Sequence, residues 1–142
     1  MRFHLAGAAV ALLAVTLAGC GGKHGAKVSG TVSLDGEPLP TGCVGTVAFI
    51  PTGGGPPATG MIDDSSGYRL STGRDKTLPP GDYNVTVGAN EAPSVASGPN
   101  GGPPPPGKPV TPARYRQART SGLNFTVESG SNTIDIELTS SN

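Results

Sequence analysis

The sequence predicts an all-β domain: a seven-stranded antiparallel β-sandwich with Greek-key connections and one long loop rich in proline and glycine. Short runs in which apolar and polar residues alternate have the period of strands with one buried face. The chain of 142 residues also contains 23 glycines and 15 prolines, which favour turns between such strands. No run with a helical period is long enough to favour a helical domain.

Three strands are predicted in the first half of the domain, at residues 27–34, 44–50 and 58–63. In the first of them, alternate residues from Val28 to Leu34 point inward. Asp35-Gly36 is a strong hairpin signal, but Pro38 and Pro40 follow it. Because these prolines cannot donate to a β-ladder, we expect a connection longer than two residues.

The segment 63–67, Asp-Asp-Ser-Ser-Gly, fits either a calcium loop or a turn held by the Asp63 side chain. An EF-hand loop needs a bidentate glutamate at its twelfth position, and counting from Asp63 that position is Arg74. We therefore predict a turn.

Two central strands are predicted on either side of a link at residues 78–81, Leu-Pro-Pro-Gly. The first covers residues 68–70 and the second residues 82–87, where Tyr83 and Val85 share the inner face. The link ends the ladder because its prolines have no N–H and its glycine allows a turn.

A long loop is predicted at residues 88–121. Its four consecutive prolines, Pro103-Pro104-Pro105-Pro106, favour polyproline II, a stiff spacer that aromatic grooves also bind. Near its end we expect a turn or two of helix capped by Thr111, with Pro112 at the first position. This helical part is basic, and we expect Tyr115 to hold it against the domain. Its basic residues are Arg114, Arg116 and Arg119.

The last two predicted strands, at residues 123–127 and 134–138, form a closing hairpin. Phe125 is predicted to be buried. Asp135 and Glu137 alternate with apolar residues, so we expect them to lie on one exposed face and make it soluble.

The chain begins with Met1-Arg2-Phe3-His4 and an apolar run too short to span a bilayer. The run ends at Leu17-Ala18-Gly19-Cys20, which resembles the lipobox of bacterial lipoproteins. The resemblance implies a signal peptide at residues 1–19, a Cys20 carrying diacylglycerol and palmitate-type acyl chains, and a tether at residues 20–26. Two or three chains, at about 0.8 kcal/mol per buried methylene, would hold the protein on a bilayer. An ordinary secretory peptide or an uncleaved anchor would be the alternatives.

Composition excludes some partners. Ten basic and ten acidic residues cancel, and no basic block exists, so we expect no nucleic acid. Aromatic residues are 4% of the chain and tryptophan is absent, which weakens sugar stacking without excluding it. With Cys20 lipidated, Cys43 has no disulfide partner, and we predict that it is a small core residue.

The segments 28–39, 67–70 and 78–83 together resemble the carboxypeptidase regulatory-like domain, an Ig-like or transthyretin-like sandwich. The resemblance covers residues 27–139 and extends to small bacterial lipoproteins that carry one such domain. The proline-rich insertion before Arg114 departs from a minimal domain of this type. The resemblance implies a non-catalytic accessory module and supplies no catalytic residue.

Few side chains are available for catalysis. After cleavage the remaining histidine is His24, in the tether, so a catalytic relay and the usual zinc ligands are not expected. Lys76 and Lys108 lie in no apolar run that would activate them. Carboxylates that could act on a glycoside remain: Asp63, Asp64, Asp82, Asp135 and Glu137. We predict no enzymatic activity, cofactor or metal.

These observations predict a lipoprotein anchored in the cell membrane or outer membrane, with its domain outside the cytoplasm. The domain would be a structural or protein-interaction module; the alternative is a polysaccharide-binding module. Exposed tyrosines would favour the alternative, but Tyr68 and Tyr83 fall at inward positions. We also expect that residues 90–108 can be removed without unfolding the domain.

Overall fold

The computed structural model describes residues 25–93 and 99–141, which form a mostly antiparallel, curled β-sheet. The all-β prediction is confirmed. The strands are β1 (Lys27–Leu34), β2 (Glu37–Pro38), β3 (Val44–Pro51), β4 (Ala58–Ile62), β5 (Gly67–Arg69), β6 (Gly81–Asn90), β7 (Leu123–Val127), β8 (Ser131–Thr133) and β9 (Ile136–Leu138). Short helical segments are α1 (Ala118–Ser121) and 3₁₀ turns at Pro99–Gly101 and Ala113–Arg116.

The strand order is β2-β1-β5-β4-β3-β6-β7, and β8 and β9 pair with β1 in parallel. The predicted closing hairpin is therefore wrong. β7 pairs with β6, whereas residues 131–138 follow β1, with Lys27 opposite Ser131 and Leu34 opposite Leu138. Alternation of apolar residues indicates which face of a strand is buried, but it does not identify the neighbouring strand.

Prediction and structure agree on the bounds of β1 and β7 and differ most at β6. β6 continues to Asn90, so the loop begins later than the predicted residue 88. Val87 and Ala89 are fully buried, and Asn90 pairs with Val44 of β3. The alternation of buried and partly exposed residues thus continues beyond Gly88. The sequence does not reveal this, because a glycine has no side chain to mark its position as polar or apolar.

The connection from β1 to β2 is a two-residue turn, and the predicted longer connection is wrong. Asp35 and Gly36 have φ values of 53° and 84°, positive at both positions as a type I′ turn requires. Ser33 then pairs directly with Pro38. The proline is tolerated because β2 is an edge strand.

The core is centred on Phe49 of β3. Its ring centroid lies 5.9 Å from that of Tyr83, 6.3 Å from that of Tyr68 and 6.1 Å from that of Phe125. β5 and β7 are each two strands from β3, on opposite sides, so side chains from both flanks converge as the sheet curls. The predicted burial of Tyr68, Tyr83 and Cys43 is confirmed, whereas Phe125 is only half-buried.

The chain between β8 and β9 lies very close to β1. A Cβ atom at Gly30 would collide with the Ile134 carbonyl oxygen, so the approach requires glycine. That carbonyl accepts a 2.6 Å hydrogen bond from the Tyr68 hydroxyl. Asp135 accepts bonds from Thr31 N at 2.9 Å and Thr31 Oγ1 at 2.8 Å. Asp135 is exposed as predicted, but it also fastens this segment to β1.

The sheet has two ends, which we call the tether end and the loop end. At the tether end, Ala26 forms a bridge with Leu78, three residues before β6 begins at Gly81. Ala26 is fully buried, so the domain starts one residue earlier than predicted. At the loop end, β6 finishes at Asn90, where the long loop starts. Ten residues of strand separate the ends by about 30 Å.

Candidate functional site

The base of the long loop is held by backbone hydrogen bonds at the loop end. Asn90 forms an antiparallel bridge with Pro109, and Glu91 N donates to Lys108 O at 2.8 Å. Gly107 packs so closely on the backbone that a Cβ atom there would collide with the Glu91 carbonyl oxygen. The two arms of the loop therefore leave the sheet as a short, closed ladder.

Thr111 fixes the returning arm, although not as a helix cap. Its side chain is buried, and its Oγ1 accepts a 3.0 Å hydrogen bond from Ala89 N. The following 3₁₀ turn has Pro112 at its N-cap and no side-chain cap bond. The cap prediction is wrong because the unforeseen extension of β6 supplies Thr111 with another donor.

Tyr115 and Arg114 clamp the returning arm to the segment after β9. Tyr115 is 6% exposed, and its hydroxyl accepts a 3.0 Å bond from Thr139 N. Arg114 Nη2 donates to Tyr115 Oη at 2.7 Å and Thr139 O at 2.6 Å, and Arg114 Nη1 donates to Ser141 O. The guanidinium also lies 4.6 Å from the Tyr115 ring centroid. The prediction that Tyr115 holds this segment against the domain is confirmed.

The clamp also affects the Tyr115 hydroxyl. Burial raises its pKa, but hydrogen bonds from Thr139 and Arg114 and the Arg114 charge oppose burial, and together they leave the pKa of Tyr115 below its usual value.

The predicted basic cluster is mostly used to build the loop base. Arg116 Nη2 donates to Asn90 Oδ1 at 2.6 Å and weakly to Ala89 O at 3.4 Å. Arg114 is half-buried in the clamp, while Arg119 is exposed. Arg114 and Arg116 therefore stiffen the base of the loop.

The described part of the loop tip is exposed. Each residue of the Pro103–Pro106 run is exposed to solvent. The exposed proline run therefore offers backbone carbonyls and proline rings that a partner can reach.

Asp63 builds the turn between β4 and β5, as predicted. Its Oδ1 accepts bonds from Ser65 Oγ at 2.6 Å, Ser65 N at 2.9 Å and Gly67 N at 2.9 Å. The bond from the Ser65 side chain contributes most to lowering the pKa of Asp63, followed by the two backbone bonds. Within residues 25–93 and 99–141, no group of three or more His, Cys, Asp or Glu side chains could hold a metal ion.

The carboxylates that could act on a glycoside do not all lie in one place. Asp63 and Asp135 line one depression of about 630 Å³ together with Tyr68 and Arg69, a pairing that sequence spacing did not indicate. Asp82 Oδ1 instead accepts a 2.6 Å bond from Thr126 Oγ1 on β7. A glycosidase acid needs a raised pKa, and that of Asp63 is lowered. Asp63 is therefore not suited to the role of the acid.

The other carboxylates and lysines singled out from the sequence are exposed: Asp64, Glu137, Lys76 and Lys108.

The structure describes one of the two cysteines, Cys43. Cys43 is buried and free, and burial raises the pKa of its thiol. Cys20 and the predicted signal peptide lie outside the described residues. In the parts of the chain that the structure describes, no helix combines the length and apolar character of a membrane span.

No family model, curated protein or solved structure matches the chain. The lipobox and the regulatory-like domain therefore stay predictions from the sequence.

Proposed function

We propose that this chain is an envelope lipoprotein anchored through Cys20, with a non-catalytic β-domain that displays the Pro103–Pro106 run to another protein. The anchor would place it at the cell membrane or outer membrane, with the domain outside the cytoplasm. The expected partner is a protein with an aromatic-lined groove, since such grooves bind preformed polyproline II segments at low entropic cost.

The observation that carries the proposal is the separation of the two ends of the sheet. The predicted tether reaches the domain at Ala26, beside Leu78, and β6 then runs about 30 Å to the loop base at Asn90. A protein held by Cys20 would thus have its proline run at the end far from the anchor. The clamp of Arg114 on Thr139 supports this function because it keeps the base stiff.

The same proposal includes the finer fold, a transthyretin-like sandwich with Greek-key connections. Support comes from the convergence of Tyr68 and Phe125 on Phe49 from opposite flanks of the curled sheet. It also comes from the non-sequential neighbours β1 with β5 and β3 with β6.

The alternative, a polysaccharide-binding module, lacks the observation that would favour it. All three tyrosines are buried: Tyr68 at 4%, Tyr83 at 3% and Tyr115 at 6% exposure. None of them is therefore available to stack on a sugar ring.

The anchor is tested by intact-mass analysis of the mature protein. We expect a chain that begins at Cys20 and carries the added mass of diacylglycerol and an acyl chain. A Cys20→Ala protein should leave the membrane fraction. A mature chain that starts elsewhere, or a Cys20→Ala protein that still partitions with membranes, would contradict the anchor.

Display is tested by capture from detergent-solubilised envelope. The bait with Pro103–Pro106 replaced by a glycine-serine run of equal length should lose the proteins that the native bait retains. A second bait with four substitutions of exposed residues elsewhere is the matched control. If the native and glycine-serine baits retain the same proteins, the proline run is not the display element.

A further inference from the structure

A basic groove lies at the tether end, where the start of β1, the end of β5 and β8 meet. It has a volume of about 500 Å³, and its floor includes the buried Val28 and Leu70. Its three cationic side chains are Lys27, Arg69 and Lys76, all exposed, and none of the described residues that line it is acidic. The groove therefore presents positive charge around a partly apolar floor.

Hydroxyl groups line the same groove. They belong to Ser29, Ser71, Ser131 and Thr133, and the Ser71 hydroxyl also donates a weak 3.5 Å bond to Thr59 O. A neighbouring turn is rigid, because Asn132 accepts a 2.9 Å bond from Glu128 N and returns a 2.8 Å bond to Glu128 O. Cations and hydroxyl donors beside a rigid turn match the oxygens of a phosphate group.

The charge changes sign along this surface. An adjoining depression shares Ser29, Arg69 and Thr133 with the groove but also contains Asp63 and Asp135. Positive charge is thus concentrated on the side of Arg69 that holds Lys27 and Lys76, close to the tether.

The position of the groove identifies the source of the phosphate. Lys27 follows Cys20 by seven residues, a length of chain that spans at most about 25 Å. The backbone of Lys27 is fixed there by a 2.7 Å bond from its N–H to Gly130 O. A lipid on Cys20 would therefore let these cations reach the headgroups, whose electrostatic field acts within about 10 Å of the surface.

We propose that this groove binds the phosphate of an anionic phospholipid in the membrane that holds the anchor. The inference rests on the proposed lipidation of Cys20 and extends it: the headgroup contact orients the domain, so that the loop end points away from the bilayer. A flexible tether alone would leave that orientation unfixed.

The test uses the mature lipidated protein in vesicles and compares how fast an acetylating reagent modifies its lysines. Peptide mass spectrometry follows Lys27 and Lys76 in the groove and Lys108 at the loop end. When phosphatidylglycerol is added to phosphatidylcholine vesicles, we expect modification of Lys27 and Lys76 to slow about fivefold, the effect of one basic side chain at an anionic surface. Lys108 should stay unchanged.

Paired variants separate the groove from general charge. Arg69→Gln should remove most of the protection of Lys27 and Lys76, whereas Arg119→Gln, which removes an exposed arginine outside the groove, should preserve it. Equal protection in the two variants would overturn the proposal.

The other possible outcomes test the groove, the anchor and the source of the phosphate separately. A protein that stays on the vesicles but shows no difference between Lys27 and Lys108 overturns the groove and leaves the anchor intact. A protein that leaves the vesicles overturns the anchor and with it this orientation. Equal protection by inorganic phosphate on neutral vesicles would assign the site to free phosphate instead of a lipid headgroup.

Discussion

β6 and the last segment of the chain, residues 128–141, build their parts of the sheet by different means. β6 pairs with β3 over eight consecutive residues through the backbone, and its apolar residues alternate throughout. In residues 128–141, side chains complete the pairing: Asn132 closes a turn, Asp135 bonds Thr31 and Thr139 is held by Arg114. Alternation thus indicates strands in both regions, but it does not indicate the side-chain hydrogen bonds of residues 128–141.

The largest expected effect lies in the regular region. Phe49→Ala should lower the free energy of unfolding by about 3 to 5 kcal/mol, because the ring is fully buried among three other aromatic rings. Phe125→Ala, at the half-buried edge of that cluster, should cost about 2 kcal/mol. Urea unfolding measures both, and equal costs would mean that the core is not centred on β3.

The next effect tests the clamp at the loop end. Arg114→Ala should cost about 1.5 to 3 kcal/mol, because it removes charged donors from Thr139 O and the buried Tyr115 hydroxyl. Arg119→Ala, in the same segment but exposed, is the control and should cost less than about 0.5 kcal/mol. Similar midpoints for the two variants would show that the clamp contributes nothing.

A smaller effect separates two neighbouring carboxylates. Asp135→Ala should cost about 1 kcal/mol, since Thr31 N loses its acceptor, whereas Glu137→Ala should stay within about 0.5 kcal/mol. The sequence gives both residues the same alternating position, and only the structure distinguishes them. If thermal unfolding finds them equal, the Asp135 bond to β1 does not stabilise the fold.

These contrasts show what the sequence could reveal. Local patterns in the sequence are enough to predict the bounds of β1 and β7, the burial of Tyr68 and Tyr83, and the Asp63 turn. The parallel pairing of β8 and β9 does not, because it depends on residues about one hundred positions apart. Gly30 was a usable signal: a glycine inside a strand often marks a close backbone approach.

The same limit applies to the candidate site. The proline run and Tyr115 were evident from composition and spacing. The grouping of Lys27, Arg69 and Lys76 was not, because three separate segments supply them.

The turn at Asp63 makes a prediction about acid stability. Its folded pKa is lowered, so its contribution is complete above the unfolded value near 3.8 and is lost as pH falls through the folded pKa. Asp63→Asn keeps an oxygen acceptor but does not titrate, so its stability should fall less steeply below about pH 4. Asp64→Asn is the control. Parallel pH profiles for wild type and Asp63→Asn would contradict the role of the carboxylate.

The smallest effect on stability is expected in the loop. The structure narrows the removable segment, because Asn90 belongs to β6 and Glu91 bonds Lys108. The appropriate variant replaces residues 93–106 with an Asn-Gly turn between the two arms. Shortening a surface loop changes closure entropy by only about 0.6 kcal/mol per twofold change in length, so the unfolding midpoint should hardly move.

Measuring that loop variant for both unfolding and envelope capture tests the central claim most directly. A domain that displays its loop at the end far from the anchor predicts an unchanged midpoint together with loss of the captured proteins. A large fall in the midpoint would show that the loop is part of the core. An unchanged midpoint with full capture would show that the protein binds through another surface, and either result would contradict the account.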